Sequence, residues 1–342
     1  MAEKTKFALI GAGVIAPQHA RAIAAHPQAE LAAIVDKDLE RAKRLAEAFG
    51  VPHVYDDVDN MLKRDDIHVV NITVPSGYHA QLCIAASQAG KHVLCEKPLD
   101  ITRDKMTAMI DTARKYGTKL GCVYQRRLMP TAIAAKNAIR EGKLGKLVLG
   151  DVYQKYYRSP EYYGSAGWRG TWAVDGGGAL MNQGVHGIDL MVWLMGDVQS
   201  VFAYAAPLVR DIEVEDTAVA VVKYKNGAYG VIQTATSVYP NQGARYELHG
   251  EKGTIVFGDD AIRQWKFIDS EEEAPSVEKR VSSKTDPAQI AKDGHFILVD
   301  DMISAIRDNR EPAISGEEAR KAVDVVLAIY ESARTGKEVT IP

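Results

Sequence analysis

The sequence predicts an α/β protein: an N-terminal Rossmann-type, doubly wound parallel sheet, then an α+β region with a large, mostly antiparallel open sheet. Three observations carry this reading. Short apolar runs alternate with amphipathic, glycine-stopped segments over residues 1–123. The first run leads directly into a glycine-rich turn. From about residue 143 long strand-like runs follow one another, and Asn226-Gly227, a strong hairpin signal, lies between two of them.

Lys6 to Ile10 is the first short apolar run, hence a buried strand, and Pro17 suits the first turn of a helix running to about His26. Leu31 to Val35 is the second strand, closed by Asp36. Asp38 can cap a helix with the apolar stripe Leu39, Ala42, Leu45, Ala46 and Phe49, stopped by Gly50. A brief strand, His53 to Tyr55, precedes a short helix around Val58 to Leu62. The rhythm repeats through strand Val69 to Thr73, helix Tyr78 to Ala89, strand His92 to Cys95, helix Asp104 to Tyr116 and strand Leu120 to Val123, with Gly90 and Gly117 as stops. Right-handed crossovers leave a doubly wound sheet as the natural topology. The later strand runs are Leu147 to Tyr157, Thr217 to Tyr224, Ala228 to Ser237, Arg245 to His249 and Thr254 to Phe257. A helix from about Gly178 to Met195 is inserted among them, two helices near Ile290 to Arg307 and Glu317 to Thr335 end the chain, and Asp269 to Lys279 reads as a solvated loop or sheet edge.

At 342 residues the chain is too long for one ordinary core, which points to two domains, 1–123 and 124–342. The formal net charge of -3 speaks against nucleic acid and anionic membrane surfaces as partners. The chain holds no apolar run long enough to span a bilayer. Met1 to Lys6 is polar and leads straight into the first strand, so no signal peptide and a cytoplasmic location are expected. Cys83, Cys95 and Cys122 are widely spaced and read as buried small hydrophobes. His19, His249 and His295 have no spacing that suggests a metal site and read as structural, and no cluster of His, Cys and carboxylates has zinc-like spacing.

Gly11-Ala12-Gly13-Val14-Ile15-Ala16 has the form GxGxxA between a predicted strand and a predicted helix, the context that gives this motif meaning. Gly11 permits the tight turn. Gly13 lets the backbone amides of Val14 and Ile15 approach a pyrophosphate, and Ala16 allows close helix–strand packing. The helix presents its N-terminus to the phosphates. Asp36, at the end of the second strand, stands where a carboxylate meets the adenosine ribose and would repel a 2′-phosphate, favouring NAD over NADP; the adjacent Lys37 tempers that preference. Thr73, Pro75 and His79, at the mouth of the fourth strand, are expected to line the cofactor pocket.

Cys95-Glu96-Lys97-Pro98 follows the fifth strand, and in an open α/β sheet ligands bind beyond the carboxyl ends of the strands. Glu96 and Lys97 are thereby aimed at the nicotinamide end, where the Lys97 ammonium can stabilise developing alkoxide charge. Pro98 rigidifies the turn. The second cluster runs from Asp175 through Gly176-Gly177-Gly178 to Asn182, His186 and Asp189. If helical, it sets Asn182 and His186 one turn apart on one face. His186 is suited to take a hydroxyl proton, although the residues alone leave open a histidine satisfied in the core. Residues 153–172 are dense in aromatics, among them Tyr157, Trp168 and Trp172, which can stack on sugar rings or serve ordinary packing.

The combination of Gly11-Ala12-Gly13, Glu96-Lys97-Pro98 and the glycine-rich segment ending at His186 resembles the glucose-fructose oxidoreductase / inositol dehydrogenase / MocA family. The resemblance extends over the whole chain, through Gln125-Arg126-Arg127 and the last helix at Ile329-Tyr330-Glu331-Ser332-Ala333. It implies that Lys97 and His186 are catalytic and that the first domain binds NAD. It also implies that the second domain binds substrate and forms homodimers or homotetramers through its sheet. The implied activity is hydride transfer between nicotinamide and a secondary hydroxyl or ketone of a cyclic polyol or sugar, with Lys97, Arg169, Asn182, His186 and Tyr157 at the substrate and Trp168-Arg169 near the nicotinamide. The chain departs from the pattern at Asn182, where many members carry aspartate. Asparagine there is similar to the branch acting on nucleotide-linked N-acetylglucosaminuronic acid at C3, whose carboxylate Arg158 and Arg169 could meet; this is the alternative substrate. A non-catalytic dinucleotide sensor is the alternative of another class, disfavoured by the presence of both Lys97 and His186.

Overall fold

The computed structural model describes residues 4–277 and 293–341. The chain forms two compact units, one of Met1–Gln125 with Arg280–Ala319 and one of Arg126–Lys279 with Arg320–Pro342.

In the first unit, β1 (Thr5–Ile10), β2 (Ala29–Val35), β3 (His53–Tyr55), β4 (Val69–Ile72), β5 (His92–Cys95) and β6 (Leu120–Cys122) pair in parallel in the order β3-β2-β1-β4-β5-β6. Phe7, Leu9, Ile34, Val70 and Ile72 are fully buried, as expected for a sheet covered on both faces. Helices α1 (Ala16–Ala25), α2 (Leu39–Phe49), α3 (Val58–Leu62), α4 (His79–Gln88) and α5 (Arg103–Tyr116) make the crossovers. The cap chemistry is as read: Asp38 accepts from the Arg41 amide at 3.2 Å, and Gly50 and Gly117 end α2 and α5 in the left-handed conformation. Strand order reverses between β1 and β4, so the loops after these two strands flank the crevice in which such sheets bind ligands.

A later stretch of chain belongs to this unit. Ile314 accepts the Cys122 amide at 2.9 Å at the sheet edge, and helix Gly294–Arg307 packs on α1, where His26 bonds Asp300 at 3.1 Å and stacks on Phe296. The first unit thus includes helix Gly294–Arg307, which is distant in sequence from the α1 it covers. The beginning of the helix expected from Ile290 lies outside the described residues, as does the end of the loop expected over Asp269 to Lys279; the described part of that loop is exposed.

In the second unit, β7 (Leu147–Lys155), β8 (Val198–Ala206), β9 (Thr217–Tyr224), β10 (Tyr229–Ala235), β11 (Gly243–Gly250), β12 (Gly253–Phe257), β13 (Ile262–Phe267) and β14 (Val339–Thr340) form one sheet in the order β13-β12-β11-β7-β10-β9-β8-β14. All neighbours are antiparallel except β7 and β10. The Asn226-Gly227 hairpin is present, with Gly227 at φ 89° and its amide on Tyr224 O at 3.0 Å. Burial alternates along β9, so one sheet face is covered and the other leaves Tyr204, Val221 and Tyr229 exposed. Helices α6 (Pro130–Arg140), α7 (Pro160–Gly164) and α8 (Val185–Met195) complete the unit with helix Gly316–Thr335. α6, β8 and β13 were not legible as such. The alanine-rich Val198–Ala206 has no polar alternation to mark it as a strand. Among the described residues no helix is long and apolar enough to cross a membrane.

Candidate active site

The glycine loop after β1 is shaped from below by β4. Gly11 has φ 101°, and a Cβ there would lie 2.9 Å from the Thr73 carbonyl oxygen, so only glycine fits. Thr73 is buried and spends its hydroxyl on this loop, donating to Gly11 O at 2.7 Å and Ile10 O at 3.0 Å. At Gly13, by contrast, a Cβ would meet nothing within 4 Å, so the space above this glycine is left open by the protein. Val14 beside it is 93% exposed. α1 opens at Ile15 with no side-chain cap and with Pro17 in its first turn. Its leading amides have no side-chain acceptor of their own and suit an anion.

Asp36 accepts the Ala12 amide at 2.6 Å on one oxygen and the Asp38 amide at 2.8 Å on the other. The carboxylate expected at the ribose therefore also ties the glycine loop to the end of β2. The open space at Gly13, the uncapped helix and this carboxylate together fit a dinucleotide.

Pro75 precedes a single 3₁₀ turn, Ser76–Tyr78. His79 is buried, with Nδ1 2.8 Å from Pro98 O and Nε2 3.0 Å from Val74 O. It links the turn after β4 to the turn after β5. Asp100 continues this tie, accepting from the Ala80 and Ile101 amides at 3.0 and 2.6 Å.

The Lys97–Pro98 peptide is cis. Glu96 is buried behind it: one carboxylate oxygen takes His19 Nε2 at 2.9 Å and faces His295 Nε2 at 3.6 Å, and the other accepts the Lys97 amide at 3.1 Å. Burial alone would raise the Glu96 carboxyl, but the two imidazoles hold it well below the usual carboxylate range. Burial would lower His295, yet Asp293 and Glu96 bring it up to about 9. His19 is pushed down by burial.

In the second unit the cluster around residue 182 is helical, with a difference from the expected single α-helix: Ala179–Gly184 is wound as a π-helix before α8 begins. Its entry is held by Glu215, whose carboxylate accepts the Gly178 amide at 3.0 Å, the Leu180 amide at 2.7 Å and the Tyr330 hydroxyl at 3.1 Å. A Cβ on Gly178 would stand 1.9 Å from the Glu215 carbonyl oxygen, which explains that glycine. Burial pushes the Glu215 carboxyl up to about 7.

Asn182 donates to Asp175 at 2.6 Å and accepts from Gln183 at 3.0 Å, and Asp175, fully buried, also accepts the Gly170 amide at 2.9 Å. The carboxylate absent from position 182 is thus present on the residue its amide contacts. His186 is half-buried on the first turn of α8. One turn on, Asp189 forms a bidentate, buried pair with Arg127 at 2.9 and 2.6 Å.

Gln183 links Asn182 to the arginines expected to meet an anion. Arg158 donates to Gln183 at 2.8 Å; Arg169 donates to Tyr162 at 2.6 Å and lies over the rings of Tyr162 and Trp168 at 4.3 and 4.6 Å. A third cation joins them: Arg210 donates to Arg158 O at 2.9 Å and sits 5.2 Å over the Tyr157 ring. Arg158 Nε, Arg169 Nε and Arg210 Nη2 are buried with no hydrogen-bond partner, and among the described residues no carboxylate lies within ion-pair distance of any of the three. Arg210 and Glu215 escaped the sequence reading, and Asp175 and Gln183 stood inside the second cluster without a role. Each is an ordinary polar residue in sequence, and only the fold gives it a partner.

A parallel sheet with a glycine loop shaped for a dinucleotide, joined in one chain to a large open sheet, defines a two-part nucleotide-dependent oxidoreductase. Residues 5–124 match the oxidoreductase family with an NAD-binding Rossmann fold, and residues 132–256 match the GFO/IDH/MocA C-terminal domain. The chain belongs to the GFO/IDH/MocA family and is an NAD-dependent oxidoreductase. It is 34% identical to the WlbA dehydrogenase from Bordetella pertussis, solved in complex with NADH and UDP-GlcNAcA, with a TM-score of 0.89 over 99% of each chain. It is 28% identical to levoglucosan dehydrogenase from Pseudarthrobacter phenanthrenivorans over 73% of this chain and 72% of that one. Myo-inositol 2-dehydrogenase from Thermotoga maritima is 26% identical over 98% of both chains.

Proposed function

We propose that this enzyme transfers hydride between NAD and a secondary hydroxyl of an anionic sugar, a nucleotide-linked N-acetylglucosaminuronate oxidised at C3. The observation that carries this choice is the gathering of Arg158, Arg169 and Arg210 around Tyr157, Tyr162 and Gln183, with no carboxylate in ion-pair contact with any of them among the described residues. A carboxylate or a phosphate takes guanidinium donors in charge-assisted, often bidentate hydrogen bonds. A neutral polyol offers nothing of that charge. The higher identity to the WlbA dehydrogenase, and asparagine at 182, support the same reading. The neutral cyclic polyol expected from sequence remains the second reading, supported by the similarity to myo-inositol 2-dehydrogenase.

NAD, when bound, supplies the hydride acceptor. The protein's part would begin at Gly11, Gly13 and the α1 N-terminus, which would hold the pyrophosphate, and at Asp36, which would take the ribose hydroxyls and disfavour a 2′-phosphate. Lys97 donates to the reacting oxygen and steadies its charge. His186 takes the hydroxyl proton on oxidation and returns it on reduction. Asn182, fixed by Asp175 and Gln183, hydrogen-bonds a neighbouring hydroxyl and cannot act as a base. Trp168 and Tyr157 supply apolar faces, and the arginines take the negative groups. The exposed Tyr204, Val221 and Tyr229 on the open sheet are the contact through which copies associate, measurable as mass by light scattering. The three free, buried cysteines support a reducing, cytoplasmic setting.

The test follows NADH absorbance with UDP-N-acetylglucosaminuronate, its neutral UDP-N-acetylglucosamine counterpart, levoglucosan and myo-inositol. Turnover of the uronate alone, lost in Lys97→Ala and His186→Ala, supports the reading. A higher kcat/KM for myo-inositol or levoglucosan would transfer the assignment to the neutral sugar. NADH binding without turnover of any of them would favour a sensor.

A further inference from the structure

Behind Lys97 lies a buried polar cluster that the reaction as described does not use. His19 comes from α1, Glu96 from the end of β5, His295 from helix Gly294–Arg307 and Asn71 from β4, and all four are buried. Their hydrogen bonds run in one direction. Asn71 Nδ2 lies 2.9 Å from His19 Nδ1, which leaves His19 Nε2 to carry the proton and donate to Glu96 at 2.9 Å. His295 Nδ1 is engaged by Asp293 at 3.0 Å, and its Nε2, with no hydrogen-bond partner of its own, points at the same Glu96 oxygen from 3.6 Å. The other Glu96 oxygen is thereby turned to the Lys97 amide at 3.1 Å.

We propose that His19 and His295 are positioning residues for Lys97. By gripping one oxygen of Glu96 they hold the other on the Lys97 amide, and so fix the backbone from which the ammonium reaches the substrate. The inference rests on the reading of Lys97 as the group that touches substrate. The cluster also has the donor set of a metal site, since the ligand atoms of His19, Glu96 and His295 lie within 4.8 Å of one another. As the hydrogen bonds stand, His19 donates to one Glu96 oxygen, and His295, brought up to about 9 by Asp293 and Glu96, faces that same oxygen. Freed from both imidazoles, the Glu96 side chain can leave the Lys97 amide, and misplacement of a catalytic group on this scale costs about 10- to 100-fold in rate.

The experiment compares wild type, Lys97→Ala, His295→Leu, His295→Gln, His19→Leu and His19→Gln. It measures kcat and KM for NAD⁺ and for UDP-N-acetylglucosaminuronate, NADH binding by fluorescence, and bound metal by elemental analysis. The expected result is a kcat reduced about 10-fold or more in the leucine variants. KM for NAD⁺ and NADH binding stay unchanged, and glutamine, whose amide donates to the same oxygen, restores most of the rate. Unchanged kcat in folded His295→Leu and His19→Leu beside an inactive Lys97→Ala would overturn the positioning role and leave the reading of Lys97 intact. An active Lys97→Ala would instead remove that reading. Equal losses in leucine and glutamine variants together with weakened NADH binding would mark a purely structural cluster. Stoichiometric metal in the purified wild type would overturn the proton arrangement.

Discussion

Glu215 makes the stability of the second unit depend on pH in a direction opposite to that of most carboxylates. It is buried under the π-helical turn that carries Asn182, and burial pushes its carboxyl from an ordinary 4.5 up to about 7 despite three donors around it. Between those two values the folded chain holds a proton that the unfolded chain has released. Stability from this group is therefore full below pH 4.5 and is lost as pH rises through about 7. Integrated from pH 5 to pH 8, the loss is about 2–3 kcal/mol, since each tenfold difference in proton affinity between the folded and unfolded chain is worth about 1.4 kcal/mol. Glu215→Gln keeps an acceptor for Leu180 and Tyr330 and cannot ionise. Urea unfolding of both proteins at several pH values gives the difference, in which every other titrating group cancels. The gap should move in favour of the glutamine variant by about 2–3 kcal/mol between pH 5 and pH 8. Parallel stability curves for the two proteins would refute the reasoning, since they would mean that Glu215 is ionised in the fold at both ends of the range.

The Arg127–Asp189 pair anchors α8 one turn past His186, and both partners are buried. Asp189→Ala should lower unfolding stability by about 3–5 kcal/mol, and the double change Arg127→Met/Asp189→Leu should recover most of it, because the single change strands a buried charge. Asp36→Ser should shift the ratio of kcat/KM for NAD⁺ to that for NADP⁺ toward NADP⁺ by about 10-fold or more, measured with both cofactors at saturating substrate. An unchanged ratio would confine Asp36 to its bonds with Ala12 and Asp38. Two glycines should separate function from folding. Gly13→Ala, with open space at its Cβ, should weaken NADH binding and leave the apo melting temperature in place. Gly178→Ala, with a carbonyl oxygen 1.9 Å from its Cβ, should depress melting severely.

The first unit was legible because its signals are local. An apolar run of a few residues, a capping Asp38 and a stopping Gly50 lie within one stretch of chain, and the fold uses them as read. What escaped was non-local in the same unit. Helix Gly294–Arg307 covers α1, yet nothing in either segment names the other until His26 is seen on Asp300 and Phe296. In the second unit the hairpin announced itself through Asn226-Gly227. β8, running straight on from a buried helix with alanines at many positions, carried no period that tells strand from helix.

The site divides along the same line. Lys97 and His186 stand out because their residue types do chemistry and their motifs are contiguous. The groups that set their surroundings are scattered: Glu96 is held by residues 77 positions before it and by a helix far after it, and Glu215 meets Tyr330 across 115 positions. The substitution at Asn182 shows what that scatter conceals. Read in sequence, it removes a carboxylate four residues before His186. Read in the fold, it sets an amide on Asp175, which is itself buried and hydrogen-bonded to Gly170. An aspartate at 182 would place two carboxylates at the 2.6 Å contact that the amide now makes, and one of them would have to hold a proton. The asparagine therefore keeps position 182 uncharged and supplies Asp175 with a donor. With Gln183 as the next link, the polar chain ends at Arg158 and Tyr162, beside Arg169. On the proposed reading, a substrate hydroxyl at Asn182 and a substrate anion at the arginines would be read by one connected set of hydrogen bonds, which a neutral sugar would leave half unused.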